Sequence, residues 1–481
     1  MENNFRNISL NSVIYLAGEV FTKASVFFLI PLYTQVLSPT EYGDWAILLS
    51  LISLAGILFP LQLGSSLTIE YYKLDDDSQR DFVATLMVTV LLTSTLFFII
   101  FDIFLKTWIL SAFVNLKEID YKLALGICFF AALLVVPQTL LRLNQRSKLA
   151  VLISSGPYLL GLILGVFLLK YFNMGITGLL LGSLSSNCIS SVLHILAVWK
   201  NLTWKYSIKM ALASILVSSP IMLHMLSHWG LNLMDRLMLQ YYVPLSQVGV
   251  YQLGYQLGTV FQVVVLALNA SWTPYFMKNF YRDKQKNNIR LFSTILVLLM
   301  LWVALGLVLF LPVMSRWVVE VSYYDALPII PWVISGFLFV GYYQFWVNIL
   351  LYHRKTVTVS LITAASAIVN FSLNAVLIPY YGYIAAAINT MVSYFVLACL
   401  TRMAVGEIGN TVFDVRRWSK GACVAIVLYI MPWIFGEYFG DNVTMLLISG
   451  IVVLIYPLIL WRMKIFGQDE VRVFKDLYNA A

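Results

Sequence analysis

Glu19 and Lys23 stand one helical turn apart in the first apolar block of this 481-residue chain, and they head a short inventory of groups able to do chemistry. At 1.5 Å per residue they lie roughly 12 and 18 Å along a helix that starts at Asn11. A charge at the middle of a membrane helix costs about 2.5–3.5 kcal/mol on insertion scales, so its position needs a reason. Ser12, Tyr15, Glu19 and Thr22/Lys23 continue one face at helical spacing. Lys23 sits too deep for easy snorkelling to the nearer interface. Facing a water-filled cavity, Lys23 would meet an anionic ligand. The plainer alternative is an internal Glu19–Lys23 ion pair that holds helices together.

A second set repeats the theme. His224, His228 and Asp235 share one helical face, with Asn232 and Arg236 beside it. Histidine changes charge near neutral pH, so His224 and His228 could carry a coupling proton, or they could simply hydrogen-bond a neighbouring helix. Asp235 and Arg236 fall near a span end, where an interfacial ion pair competes with a role toward ligand. The longest stripe follows: Gln252, Tyr255/Gln256, Thr259, Gln262, Leu266, Asn269 and Thr273, a helical period broken once by Leu266. Interhelical hydrogen bonds would account for two such residues; a run across most of a membrane predicts a wet wall. Amides, hydroxyls and aromatic faces such as Tyr255 and Trp272 suit a sugar better than a compact cation. Ser50, Ser53, Pro60 and Gly64 form a milder polar face, while His194 and Asp102 lie toward span ends and read as interfacial.

The elements that carry these groups are membrane helices. The chain is 60% hydrophobic and only 11% charged, with a mean hydropathy of +0.84, too little polar surface to cover a water-soluble fold. Its apolar residues come in blocks of about 20, enough to cross roughly 30 Å of hydrocarbon. The blocks do not alternate, which argues for helices over barrel strands. We place fourteen spans, at 11–36, 44–64, 82–105, 121–141, 149–170, 176–198, 209–235, 250–272, 290–311, 327–350, 357–379, 383–401, 420–439 and 443–462. Before the first there is one positive charge, Arg6, and no cleavage site follows, so that helix is expected to stay.

Charge distribution orients the spans. All but seven of the 31 Lys+Arg fall on the side that holds both termini; the exceptions are Lys23, Lys106, Lys117, Lys122, Lys170, Arg236 and Arg316. By the positive-inside rule both termini are cytoplasmic. The net charge of +8 therefore reflects topology, and nucleic acid is not an expected partner. No loop reaches 25 residues, and Walker A, His-Glu-x-x-His and Cys-x-x-Cys patterns are missing, so neither an ATP-driven pump nor a cofactor, metal centre or enzyme is expected. Cys128, Cys188, Cys399 and Cys423 read as buried structural thiols.

The chain also repeats itself. Leu37-Ser38-Pro39-Thr40-Glu41-Tyr42-Gly43 lies over Val243 to Gly249 at an offset of 206, so that Gly43 meets Gly249. The basic loop ending at Lys148 meets that ending at Lys355, and Gly175 meets Gly382, both at 207. Six spans per copy is an even number, so both copies enter the membrane in the same sense, with a substrate site between halves as a familiar consequence. This gives an N-terminal lobe over 1–205, a C-terminal lobe over 206–407, and two further helices with a tail over 408–481.

Fourteen helices, a Leu-Ser-Pro-x-Glu-Tyr-Gly turn (Leu37 to Gly43), Asp235-Arg236, Gly249-x-Tyr251, and Asn370-x-x-x-Asn374-x-x-x-Ile378-Pro379-x-x-Gly382 together resemble the Wzx-type polysaccharide flippases of the multidrug/oligosaccharidyl-lipid/polysaccharide exporter superfamily. The resemblance covers essentially the whole chain. It implies an all-α, V-shaped, two-lobed fold in which spans 1, 2, 7 and 8 line a central cavity. It implies alternating access that carries an undecaprenyl-diphosphate-linked O-antigen or similar unit across a bacterial inner membrane, within lipopolysaccharide or other polysaccharide biosynthesis. Basic cavity residues would meet the diphosphate, with Lys23 first and Arg236 second; few other mid-membrane cations are present. Implied partners are the polyprenyl-diphosphate-linked oligosaccharide, membrane lipid, and a polysaccharide polymerase with its chain-length regulator. Two other readings stay open: a multidrug or cation exporter of the same superfamily, which would favour buried carboxylates in one lobe, and a membrane glycosyltransferase or polymerase, which would favour a large periplasmic loop.

Overall fold

Hydrocarbon offers the backbone no hydrogen-bond partner, and the chain meets that demand with helices alone: the described residues contain no strand. The structure is a computed structural model that describes residues 18, 25, 27–112, 116–203, 205–281, 286–439 and 442–465. Glu19 and Lys23 lie outside the described residues, as does most of the first span. We number the helices α1 Phe27–Val36, α2 Pro39–Leu58, α3 Leu63–Glu70, α4 Asp76–Ser111, α5 Glu118–Leu143, α6 Ser147–Tyr171, α7 Gly175–Val198 and α8 Ile208–Leu239. There follow α9 Leu245–Asn279, α10 Lys286–Ser315, α11 Ile330–Tyr352, α12 Thr356–Val405, α13 Glu407–Val412, α14 Val415–Phe439 and α15 Asn442–Arg462. Eleven helices among the described residues are long and apolar enough to cross a membrane, α12 being 50 residues long and bent at Gly382 into two spans.

Local sequence explains the punctuation. Ser38 caps α2: its backbone N–H donates to Glu41 Oε2 at 2.9 Å, and its hydroxyl accepts from the Glu41 N–H at 3.3 Å, with Pro39 at the first helical position. This reciprocal cap is what the Leu-Ser-Pro-x-Glu pattern encodes. The second expected span, 44–64, is corrected: α2 runs Pro39–Leu58, and the chain then breaks before α3. Pro60 lacks an amide proton, Leu61 and Gln62 take left-handed φ of 48° and 55°, and the freed Phe59 carbonyl accepts from the Thr93 hydroxyl at 2.8 Å.

The duplication is visible in backbone geometry. Gly175 and Gly382, matched by sequence, have φ of +57° and +58°. The two basic turns carry the same cap, in which Arg146 N–H donates to Leu141 O and Lys355 N–H to Leu350 O, both at 2.9 Å, with Gln145 and Arg354 left-handed. Structure thus aligns Gln145 with Arg354, two residues away from the register read in sequence, where Lys148 was set on Lys355.

Contacts divide the chain into two compact units, one up to Gly249 and one from Val250. The first unit includes α8, which packs on α2, α3 and α4; Trp229 Nε1 donates to Ser50 O at 3.0 Å. The division expected from the sequence repeat, at 205/206, is a different one from this division by contacts. In this unit α6 and α7 close on small residues: a Cβ at Gly182 would strike the Gly161 carbonyl and lie 2.7 Å from Gly165 N. His194, expected at an interface, is instead fully buried here, with its ring 3.3 Å from the hydroxyls of Ser154 and Ser190.

The second unit is built on aromatic packing. Trp272 is surrounded by Phe276, Phe345 and Phe413 with ring centroids 5.3, 4.9 and 5.9 Å away, and Trp346 and Trp418 close the cluster. The two arms of α12 are joined by a buried amide ladder: Asn389 Nδ2 donates to Asn374 Oδ1, and Asn374 Nδ2 to Asn370 Oδ1, each at 3.0 Å. The thiols are less uniform than expected. Cys128 is buried, but Cys188 and Cys399 are half-buried and Cys423 is exposed.

Candidate functional site

On α8 the polar groups separate by depth. Asp235 and Arg236 are each 1% exposed, and Arg236 Nη1 lies 2.6 Å from Asp235 Oδ1. The Arg236 guanidinium also donates to the Asn232 carbonyl, and its backbone N–H donates to Asp235 Oδ1 at 2.9 Å. The expected ion pair is present, three residues before the end of α8, and in this structure both side chains are turned into protein. A pair so enclosed avoids the cost of a bare charge in hydrocarbon.

Two and three turns earlier the same helix is more open. His228 is exposed, and Asn232 Nδ2 lies 3.2 Å from its ring and donates to its carbonyl at 2.7 Å. His224 is half-buried, and its Nδ1 meets no hydrogen-bond partner among the described residues.

On α9 the stripe resolves into two faces. Gln252, Gln256, Thr259, Gln262, Asn269 and Thr273 are all partly exposed. The opposite face is core: Tyr251, Phe261 and Trp272 are at most 1% exposed. Tyr255 differs from the expectation that it lines a cavity. It is 6% exposed, its ring 5.9 Å from Tyr251 and 6.0 Å from Phe337. Trp272 is likewise a core residue rather than a sugar platform. The stripe bends at Thr259, where the hydroxyl donates to Gln256 O at 2.6 Å and the α-helical ladder is interrupted. At its far end Asn269 Oδ1 accepts from Thr273, and Thr273 in turn accepts from Asn348 at 3.3 Å. An amide-rich, half-open helix face of this kind offers donors and acceptors in pairs, the chemistry that replaces water around a polyol.

Sequence reading missed Asp120. It is fully buried at the start of α5, accepts from the Thr177 hydroxyl at 2.5 Å through Oδ1, and leaves Oδ2 without a partner among the described residues. Its signal was weak, since an acidic residue in a first helical turn is ordinary.

The sequence profile of a family described as polysaccharide biosynthesis protein matches residues 9–280. The Lsg locus putative protein 1 of Haemophilus influenzae is 26% identical over 412 residues, which cover 82% of this chain and 98% of that protein. Among solved structures, the lipid II flippase MurJ in an inward closed conformation superposes with a TM-score of 0.76 over 95% of this chain and 100% of its own, at 14% identity. A multidrug resistance MATE family transporter of the MOP superfamily, in an inward-facing conformation, gives a TM-score of 0.64 over 83% and 96%, also at 14% identity. At such identities the likeness is one of fold.

Proposed function

Since this chain belongs to the polysaccharide biosynthesis protein family, we propose that it is a flippase that carries an undecaprenyl-diphosphate-linked oligosaccharide, an O-antigen unit or a similar repeat, from the cytoplasmic to the periplasmic leaflet of a bacterial inner membrane. The chain is a multi-pass membrane protein with the fold of the MOP exporters. One observation carries the reading further than the family does: the half-open row Gln252, Gln256, Gln262 and Asn269 on an otherwise apolar helix. A diphosphate and several sugars cannot cross hydrocarbon unaided, so their hydration must be replaced by side chains. A compact drug cation would call for carboxylates in place of this amide row.

In this reading the α9 amides bond the sugars, Lys23 meets the diphosphate with Glu19 beside it, and His224 and His228 carry the coupling proton. Asp235–Arg236 fixes α8 behind them. Both termini are cytoplasmic, from the distribution of Lys and Arg in the loops. The polyprenyl tail stays in lipid, and the polymerase and its chain-length regulator act on the delivered units.

The test is genetic and chemical. Cells without the protein should accumulate complete lipid-linked units that a membrane-impermeant periplasmic glycan probe cannot reach. Lys23→Ala should reproduce that accumulation while the protein still inserts at its normal level. Single units delivered to the cell surface would instead mark a polymerase and overturn the proposal.

A further inference from the structure

Five cations gather where α10, α14 and the end of α15 meet, within the second unit. Arg290 lies near the start of α10, Arg416, Arg417 and Lys420 in the first turns of α14, and Lys464 just beyond α15. They line a cavity of about 290 Å³ together with one carboxylate, Asp414. Arg290 Nη2 and Arg417 Nε lie 3.0 and 3.5 Å from Asp414 Oδ2. Arg416, Lys420 and Lys464 form no ion pair with a described residue and are exposed. One acid against five bases leaves a concave surface with a large positive excess.

The cavity has an apolar neighbour. Arg416, Lys420 and Met463 also border a groove of about 580 Å³ that runs on between α14 and α15 over Cys423, Val424, Val427, Leu428 and Ile459. Those helices carry apolar side chains outward: Ile426, Val427, Leu454 and Leu458 are 59, 62, 67 and 67% exposed, as lipid-facing residues are. Trp461, 53% exposed, marks the level at which an aromatic belt meets headgroups.

A basic pocket joined to an apolar groove at headgroup level has the charge and the polarity gradient of one ligand class. From it we infer that this face holds an acidic phospholipid, with the phosphate among Arg416, Lys420 and Lys464 and an acyl chain along Val427 and Ile459. Guanidinium and ammonium groups suit phosphate oxygens, while the groove is useless to a free inorganic anion. The inference does not rest on the transport reading; it needs only that α14 and α15 meet lipid.

The experiment uses the purified full chain in detergent with phosphatidylglycerol as the probe, binding being followed by native mass spectrometry and by the shift of Tm. Saturable binding should fall on the order of a hundredfold in Arg416→Ala/Lys420→Ala/Lys464→Ala, as three interfacial cations at about 1 kcal/mol each imply. That variant leaves the Arg290–Asp414–Arg417 network in place. Cys423→Trp, which fills the groove and spares the cations, should weaken phosphatidylglycerol at least tenfold. Phosphatidylcholine and inorganic phosphate at equal concentration should not compete. Unchanged binding in the triple variant, or equal competition by phosphatidylcholine, would overturn the site. Full displacement by inorganic phosphate would reduce it to a free-anion site, and displacement by farnesyl diphosphate far below the phosphatidylglycerol concentration would reassign it to the transported class. Either result also overturns the inference.

Discussion

Arg236 holds the carboxylate of Asp235 at 2.6 Å with both side chains 1% exposed, on a helix that exposes His228 two turns earlier. Removing one partner would leave an uncompensated buried charge, at a typical cost of about 3–5 kcal/mol. Asp235→Ala and Arg236→Ala should therefore each lower the unfolding temperature in detergent and the amount of protein in the membrane. Asp235→Ala/Arg236→Ala should lower both less than the sum of the two single effects. An additive double variant would show that the charges act independently.

The α9 stripe separates function from packing. Gln256→Leu and Gln262→Leu, on the half-open face, should reduce surface polysaccharide several-fold at unchanged protein level. Trp272→Leu, on the core face, should lower protein level first, since loss of a large buried aromatic costs about 3–5 kcal/mol. Quantitative immunoblotting beside a polysaccharide assay distinguishes the two outcomes.

Close helix approach between α6 and α7 predicts a steep dependence on a single methyl group. Gly182→Ala places a Cβ against the Gly161 carbonyl and should cost about 1–3 kcal/mol by overpacking. Gly156→Ala, on the same α6 but with nothing within 4 Å of the new atom, should be neutral. Detergent melting curves of the two variants test the contrast.

For His224 and His228, the expected result concerns a profile rather than a rate. His224→Gln/His228→Gln should flatten the dependence of transport on external pH between about 5 and 8, the range in which histidine changes charge. A profile that survives in the double variant would assign both rings to a structural role.

What sequence revealed and what it hid follows from the physics of each feature. Span positions were legible because a bilayer demands some 20 apolar residues whatever the fold. The turn before α2 was legible because a reciprocal cap needs serine and glutamate three apart. Lys23 and Glu19 were also singled out, but they lie outside the described residues. The break at 59–62 was hidden, because its carbonyl is satisfied from Thr93, far away in sequence. Tyr255 and Trp272 were misplaced for a different reason: an aromatic residue at stripe spacing fits a wet wall and a dry core equally well, and only the rings of Phe337 and Phe345 decide. Asp235–Arg236 stood near a span end by counting, but that position did not reveal that both side chains are 1% exposed.

The amide ladder within α12 bears on how the chain reaches the bilayer at all. Three asparagines would be poor passengers in lipid if each arm crossed alone, since an amide without a partner there is expensive. Because Gly382 takes a φ of 58° and a ψ of −142°, a region essentially open to glycine alone, the arms turn back on each other within one residue. Asn374 and Asn389 can then meet while the segment is still leaving the translocon. The two arms would enter as a ready-made hairpin, with the Asn374–Asn389 bond between them made before either side sees hydrocarbon.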